Sequence, residues 1–380
     1  MNKSIDRLSL LKPAEQPVSD DPGFAYTLPA SWYYDPEIHE QEKFSIFYKT
    51  WHYAGHVSQL AETGSYITTR IHDQNIFIIR GDDGALNGFH NVCQHRGHEL
   101  LSGSGRTKVI VCPYHAWSYK SDGNLLSARN TENVPDFDKC KFSLKAVKVE
   151  TFLGLVFVNC DPGAAAFAET MSGLDQEILK YTPDAENLVY AQRSEYQVAS
   201  NWKVMIDNFL ECYHCHTAHR DFVDLVNMPA YRTIVNPFYS SHCSDGPVNA
   251  ENSAYTVASD VKFSYAAWFI WPNTTIWIMP GEPNLSVLQM NPSGVETTTE
   301  YLDWFLTSNE LSAEMQQASQ YLDEVLQPED IGLCESVQRG LKSIGYNQGR
   351  FIVDDARSEL SEHGVHHFQK LVREAMTEKK

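Results

Sequence analysis

The chain has 380 residues, 42% hydrophobic and 21% charged, with 21 Gly and 17 Pro. That composition suits folded globular domains and excludes a disordered chain or a collagen-like repeat. A formal net charge of −19, from 30 Lys and Arg against 49 Asp and Glu, disfavours general binding to nucleic acid or an anionic membrane and suits a cationic partner or substrate.

No window approaches the roughly 18 consecutive apolar residues of a membrane span, and the opening residues Met1 to Arg7 lack the apolar core of a signal peptide. A cytoplasmic chain without a membrane partner is the expectation. Eight Cys are too sparse for a disulfide scaffold, and in a reducing compartment thiols beside His suggest metal before disulfide.

In chain order, residues 1–50 read as an extended arm and a short amphipathic helix, with Pro36 near its start and Phe44, Ile46, Phe47 and Trp51 along it. Residues 51–162 change to short β-rich runs at 66–69, 76–79, 109–111 and 155–158, separated by Gly and Asp turns, and predict a small all-β domain. Residues 163–380 mix strand-like runs (188–198, 274–279, 285–290, 296–306) with helical segments around 202–216, 311–326, 328–343 and 361–378. The grouping predicts an α+β fold with a largely antiparallel sheet.

The all-β region contains Cys93-Gln94-His95 and, after sixteen intervening residues, Cys112-Pro113-Tyr114-His115. Each half offers a soft thiolate and a borderline imidazole within one tight turn, so two loops can close around a metal centre. A Cys2His2 zinc site uses the same donors, but zinc fingers pair Cys with Cys and His with His along the chain. One of each per loop suits a two-iron cluster with Cys on one iron and His on the other. The pattern resembles the Rieske [2Fe–2S] domain of Rieske non-haem iron oxygenases, which makes Cys93, His95, Cys112 and His115 the cluster ligands; His90 and His98 are not ligands in it.

The second constellation runs from Asn201-Trp202-Lys203 through Asp207, Glu211, Cys212, His214, Cys215 and His216 to His219. On a continuous helix Asp207, Glu211 and His214 share a face, while His219 lies roughly 140° from His214. Both imidazoles can meet one metal only if the helix ends or bulges between them. Two His and a carboxylate form the facial triad of non-haem Fe(II) oxygenases. Cys212 and Cys215 also admit a redox or zinc reading, though no second Cys pair accompanies them. The third ligand must come from downstream, where Asp323, Glu324, Glu329, Asp330 and Glu335 all qualify.

The segment is similar to the N-W-K…E-x-Y-H-x4-H signature of the same family. The resemblance implies His214 and His219 as iron ligands and Asp330 as the third through the late E-D-x4-E-x-x-Q pattern; the other carboxylates read as a solvated helical face, the usual fate of such a charge run. It places Glu211 as a catalytic carboxylate bridging an iron-ligand His to His115 of a neighbouring subunit in a homotrimer. His216, His366 and His367 match no ligand position. The fold it implies is an all-β Rieske domain plus an antiparallel-sheet helix-grip catalytic domain.

Together the centres imply an oxygenase that uses O2 and electrons from NAD(P)H, delivered by a separate reductase, since no G-x-G-x-x-G fingerprint or plant-type ferredoxin Cys run is present. The C-terminal residues 338–346 and 361–368, with Glu211 where ring-hydroxylating members often carry Asp, resemble the carnitine, choline and glycine-betaine monooxygenase branch. That branch implies hydroxylation of a small quaternary ammonium substrate, possible C–N cleavage included. Phe263, Tyr265, Trp268, Phe269, Trp271, Trp277, Trp304 and Phe305 are candidates for a cation-binding cage or plain core. An aromatic-ring dioxygenase and, from another class, a zinc-stabilised binding module are the alternatives.

Overall fold

The computed structural model describes residue 16, residues 19–257, residue 261 and residues 263–377. The arm expected at the extreme N-terminus lies largely outside the described residues, as does residue 378 at the end of the last expected helix. Contacts divide the chain into two compact units, Phe47–Asp175 and Met1–Ile46 with Gln176–Lys380.

The first helix, α1 (Pro36–Glu42), starts where Asp35 accepts the Glu37 N–H at 2.8 Å and Pro36 fills the first turn. A π-helical turn, Lys43–Phe47, follows it. Next come β1 (His52–His56), β2 (Ser65–Ile71), β3 (Gln74–Arg80), β4 (Leu86–His90), β5 (Ser104–Arg106), β6 (Ile110–Val111), β7 (Ser118–Tyr119), β8 (Leu125–Ser127), β9 (Ala146–Phe152) and β10 (Leu155–Asn159). Seven form an antiparallel sheet ordered β1-β10-β9-β4-β3-β2-β5, and β6-β7-β8 form a second. Phe77, Ile79, Phe89, Trp117 and Tyr119 pack with Cys93 and Cys112 in one core cluster. The two expected ligand loops therefore rise from a rigid apolar base, after β4 and between β6 and β7.

Two short helices, α2 (Phe167–Thr170) and α3 (Leu174–Tyr181), lead to β11 (Val189–Val198). The second unit continues with α4 (Trp202–Phe209), α5 (Cys215–Ala218), α6 (Arg220–Leu225), β12 (Tyr231–Val235), β13 (Tyr239–Asp245), β14 (Phe263–Ile270), β15 (Thr274–Ile278), β16 (Asn284–Gly294) and β17 (Thr297–Leu306). It ends with α7 (Ala313–Tyr321), α8 (Gln327–Leu341) and α9 (His363–Thr377). The seven strands form an antiparallel sheet ordered β11-β17-β16-β15-β14-β13-β12.

Register decides which side chains share a face. Tyr231 opposes Ser244, Ser244 opposes Tyr265, and Ala267, two residues beyond Tyr265, opposes Trp277. Tyr231, Tyr265 and Trp277 therefore stand on one face. Trp268 stands on the other, where its indole N–H donates to Glu177 at 3.0 Å.

Asn201 caps α4 by accepting the Lys203 N–H at 3.0 Å. Trp202 and Lys203 then fasten the helix to α1: the indole donates to Glu42 Oε2 at 2.9 Å and the ammonium to Glu42 Oε1 at 2.5 Å. Both charged side chains are fully buried, and the carboxylate has a donor on each oxygen, which offsets desolvation.

The expected helix over 202–216 is shorter than predicted. It closes at Leu210, whose N–H donates to the Ile206 carbonyl at 3.1 Å. A continuous helix would send the His214 N–H to the Leu210 carbonyl; here Glu211 Oε2 accepts it at 3.2 Å. Gly364 of α9 sits against that carbonyl, and a Cβ there would fall 2.5 Å from the Leu210 oxygen.

The helices expected at 311–326 and 328–343 are instead one run, because a π-helical turn at Leu322–Leu326 joins α7 to α8. The wider turn accommodates Pro328, whose missing N–H would interrupt a regular ladder.

Candidate active site

The two loops of the first unit share one backbone device. Cys93 N–H donates to the His98 carbonyl and Gly97 N–H to the Cys93 carbonyl; Cys112 N–H donates to the Trp117 carbonyl and Ala116 N–H to the Cys112 carbonyl. In both, the residue four after Cys is left-handed, Gly97 at φ 76° and Ala116 at φ 58°. Asn91 staples the first loop, accepting from the Leu100 and Leu101 N–H groups at 3.1 and 3.0 Å and donating to the Leu101 carbonyl at 2.7 Å.

Both thiols are buried, and His95 and His115 bring Nδ1 to Nδ1 at 3.2 Å. The Tyr119 hydroxyl lies 3.3 Å from Cys93 Sγ and accepts the Gln94 N–H at 3.0 Å, while Trp117 stacks on His95 at 4.8 Å. Burial pushes the Cys93 thiol pKa up, against the Tyr119 hydrogen bond. A pair of neighbouring thiols and a pair of neighbouring imidazoles, with one of each type from each loop, fit a [2Fe–2S] cluster with one iron per ligand type.

In the second unit, His214, His219 and Asp330 are the group among the described residues whose ligand atoms converge, all within 4.8 Å of one another. His214 Nε2 lies 3.1 Å from His219 Nε2 and 3.4 Å from Asp330 Oδ1, which lies 2.9 Å from His219 Nε2. The other ring nitrogens are engaged: His214 Nδ1 donates to Glu211 Oε1 at 2.6 Å and His219 Nδ1 to Glu329 Oε2 at 2.8 Å. Each carboxylate selects the tautomer that leaves Nε2 available to a metal.

Burial opposes a charge on His214, but hydrogen bonds to Asp330 and Glu211 outweigh it and raise its pKa to about 10. Burial likewise opposes ionisation of Asp330, yet both imidazoles hold its pKa well below the usual carboxylate range. The site thus favours a carboxylate with positive charge beside it, and two imidazoles and one carboxylate fit Fe(II) with positions left open.

Glu211 and His214 stand between two cavities. One, of about 50 Å³ and called below the metal-side cavity, has Phe209, Phe222, Tyr231, Tyr265, Trp277 and Leu326 around the candidate donors His214, His219 and Asp330. The other, of about 320 Å³, is lined by Glu211, His214, Asp207, Tyr33, Tyr346, Phe351 and Glu362 with an apolar rim.

Comparison with known proteins follows the same division. Residues 50–138 match the Rieske [2Fe-2S] domain, and residues 185–378 match the ring hydroxylating alpha subunit (catalytic domain). The chain belongs to the Rieske-type ring-hydroxylating oxygenase alpha subunits. It is 39% identical over 93% of its length, and 94% of the relative's, to the carnitine monooxygenase oxygenase subunit of Escherichia coli (strain K12). It is 30% identical to the chloroplastic choline monooxygenase of Amaranthus tricolor, over 90% of this chain and 76% of that protein. A solved quaternary ammonium Rieske monooxygenase, associated with carnitine oxidation and inter-subunit electron transfer, superposes with a TM-score of 0.89 at 37% identity, covering 96% of this chain and all of that one. The family implies an iron–sulfur cluster and iron, and sets aside the zinc-stabilised binding module.

Within this oxygenase, His95 meets His115 and Cys93 neighbours Cys112 in one unit, and His214, His219 and Asp330 converge in the other. Asp207, expected on a shared face with Glu211 and His214, lines the larger cavity with them and accepts the Tyr33 hydroxyl at 2.6 Å and the Gln369 amide at 3.0 Å. The expected solvated acidic face holds only for Glu324, exposed beside Gln320. Asp323 accepts from Ser194 at 2.9 Å and from Tyr196, Glu335 accepts the Ala199 N–H at 3.0 Å, and Glu329 orients His219.

Cys212 and Cys215, which in the sequence admit a redox or zinc reading, are joined in a disulfide. The tight turn left by the helix break brings their Cα atoms to 4.9 Å, within bridging range. His216 is exposed near Glu359. The role of Glu329, a candidate ligand that instead orients His219, and the Phe209–Trp277 stack at 5.6 Å escaped sequence reasoning; the acidic pair Glu329-Asp330 was the one available signal for the former.

Among the described residues no helix is long and apolar enough to cross a membrane.

Proposed function

We propose that this chain is the oxygenase component of a two-component, cytoplasmic Rieske monooxygenase that hydroxylates a small quaternary ammonium compound of the carnitine, betaine or choline type. The observation that carries this reading is the aromatic wall of Phe209, Phe222, Tyr231, Tyr265 and Trp277 around His214, His219 and Asp330. Aromatic faces attract an alkylammonium by about 0.5–2 kcal/mol per ring. The likeness to carnitine and choline monooxygenases supports the same substrate class.

In this reading residues 51–162 carry the cluster on Cys93, His95, Cys112 and His115, and residues 163–380 carry iron on His214, His219 and Asp330. When bound, the two groups supply electron storage and O2 activation. The chain's own part is positional. Glu211 and Glu329 fix the imidazole tautomers, the aromatic wall orients the cation and excludes water, and Asp330 holds its negative charge beside both imidazoles.

The net reaction is R–H + O2 + 2 e⁻ + 2 H⁺ → R–OH + H2O, with electrons from NAD(P)H through a separate reductase. If the carbon attacked bears the nitrogen, the carbinolamine collapses to a carbonyl compound, a tertiary amine and a proton. A homotrimer in which Glu211 meets His115 of the neighbouring subunit completes the electron path. The larger cavity, acidic at Asp207, Glu211 and Glu362, supports that docking.

The test is NADH- and O2-dependent turnover of carnitine, glycine betaine, choline and benzoate with a compatible reductase, beside iron and sulfide analysis. About three irons and two sulfides per chain with turnover of a quaternary ammonium compound are expected. Turnover of benzoate alone would sink the substrate assignment in favour of ring dioxygenation.

A further inference from the structure

We propose that the Cys212–Cys215 disulfide is a redox-active clamp that positions Glu211 and His214, so that its reduction switches the oxygenase off. The inference rests on His214 holding the iron.

The disulfide joins the two ends of the turn that follows Glu211 and contains His214. Its backbone bonds continue into the next ligand residue: Cys215 N–H donates to the Cys212 carbonyl at 3.0 Å, and the Cys215 carbonyl accepts the His219 backbone N–H at 2.8 Å. Regular helix is absent where it would otherwise hold these residues, since α4 stops at Phe209 and α5 spans only Cys215–Ala218. The sulfurs therefore stand in for the missing helical turn.

Both cysteines line the metal-side cavity and are only 3% and 4% exposed, while Tyr213 between them is 49% exposed. The turn thus lies near the surface with its sulfurs facing inward. The other six cysteines form no disulfide, so the bridge is confined to the catalytic turn. A disulfide in a reducing compartment is usually redox-sensing or catalytic.

A dithiol reductant attacks one sulfur, forms a mixed disulfide and is released as its own disulfide, leaving two electrons and two protons on Cys212 and Cys215. A peroxide reverses the change, the two thiols and H2O2 giving the disulfide and two waters. Reduction removes the covalent tie between the residue after Glu211 and the residue after His214. The carboxylate then no longer has a fixed imidazole to orient.

The experiment uses the purified holoenzyme. Thiols are alkylated under denaturing conditions before and after native reduction with a phosphine, and the tryptic peptide 204–220 is weighed. Cluster absorption, iron content and turnover are followed in parallel. The expected result is a bridged peptide in the active enzyme. After reduction, two alkylated cysteines should accompany at least a tenfold loss of turnover, with release of about one iron or a changed ferrous-site spectrum, an unchanged cluster spectrum, and recovery on addition of peroxide. Two free thiols in the fully active enzyme overturn the proposal, as does a reduced enzyme that keeps its turnover.

Cys212→Ser with Cys215→Ser should behave as the permanently reduced form, insensitive to phosphine; if that variant does not fold, reduction of the native protein decides alone. Untreated protein lacking the mononuclear iron would refute the proposed function itself, an outcome read separately from the peptide mass.

Discussion

Glu211 grips His214 twice: its Oε1 accepts from the ring Nδ1 at 2.6 Å and its Oε2 from the backbone N–H at 3.2 Å. One carboxylate thereby ends a helix and sets an imidazole tautomer. Its position between two cavities makes it the shared wall of the site.

Glu211→Gln keeps the size of the side chain but removes its charge. Both metal centres should load normally, while coupled turnover falls by at least about tenfold, equivalent to about 1.4 kcal/mol. Metal analysis with stopped-flow oxidation of the reduced cluster checks this; full activity in the variant contradicts a bridging role.

Glu329→Gln tests the second orienting carboxylate. Loss of a charged acceptor on His219 Nδ1 should weaken iron binding by about 10- to 100-fold. The cluster loops should be untouched, so dialysis against a chelator should strip the mononuclear iron faster than in the wild type at constant cluster absorbance.

Trp277→Leu removes a ring that lines the metal-side cavity and stacks on Phe209. KM for a quaternary ammonium substrate should rise by about tenfold, within the range of one lost cation–π contact, with a smaller effect on an isosteric neutral analogue. Equal effects on both would mean that the ring acts by packing alone.

Asp207 offers a pH test. Burial raises its pKa to about 7, against hydrogen bonds from Tyr33 and Gln369, and its Oδ1 has no hydrogen-bond partner among the described residues. A folded pKa above the unfolded value of about 3.9 means that the native state binds the extra proton. Stability therefore declines as pH rises from about 4 to about 7 and levels off above that. Asp207→Asn removes this loss, and its stabilisation relative to wild type should be about 2 kcal/mol greater at pH 8 than at pH 5.5, measured by urea unfolding at both values.

Much of the chemistry was legible because metal ligands leave short, local signatures. Cys93-x-His95 and Cys112-x-x-His115 each lie within one turn, and backbone bonding of the two loops is nearly identical. Asp330 needed the family pattern, since five carboxylates competed and only packing of α8 over the His pair distinguishes them.

The helix break after Phe209 was anticipated only as a geometric condition. Its cause is non-local: Glu211 captures the His214 N–H and Gly364 of α9 crowds the Leu210 carbonyl. The disulfide followed from that break, so counting Cys along the sequence misjudged it. Among the tryptophans, Trp277 and Trp268 are both buried in adjacent strands, and only the register separates the pocket residue from the core residue.

The π-helical turn between α7 and α8 places Leu326 in the metal-side cavity and Asp330 four residues farther along the same rod. A helix advances about 1.5 Å and turns about 100° per residue. Inserting or deleting one residue between them would swing either the cavity wall or the carboxylate out of the site. The interval from Leu326 to Asp330 is therefore a fixed-length segment, open to substitution at the exposed Pro328 but closed to any change in length.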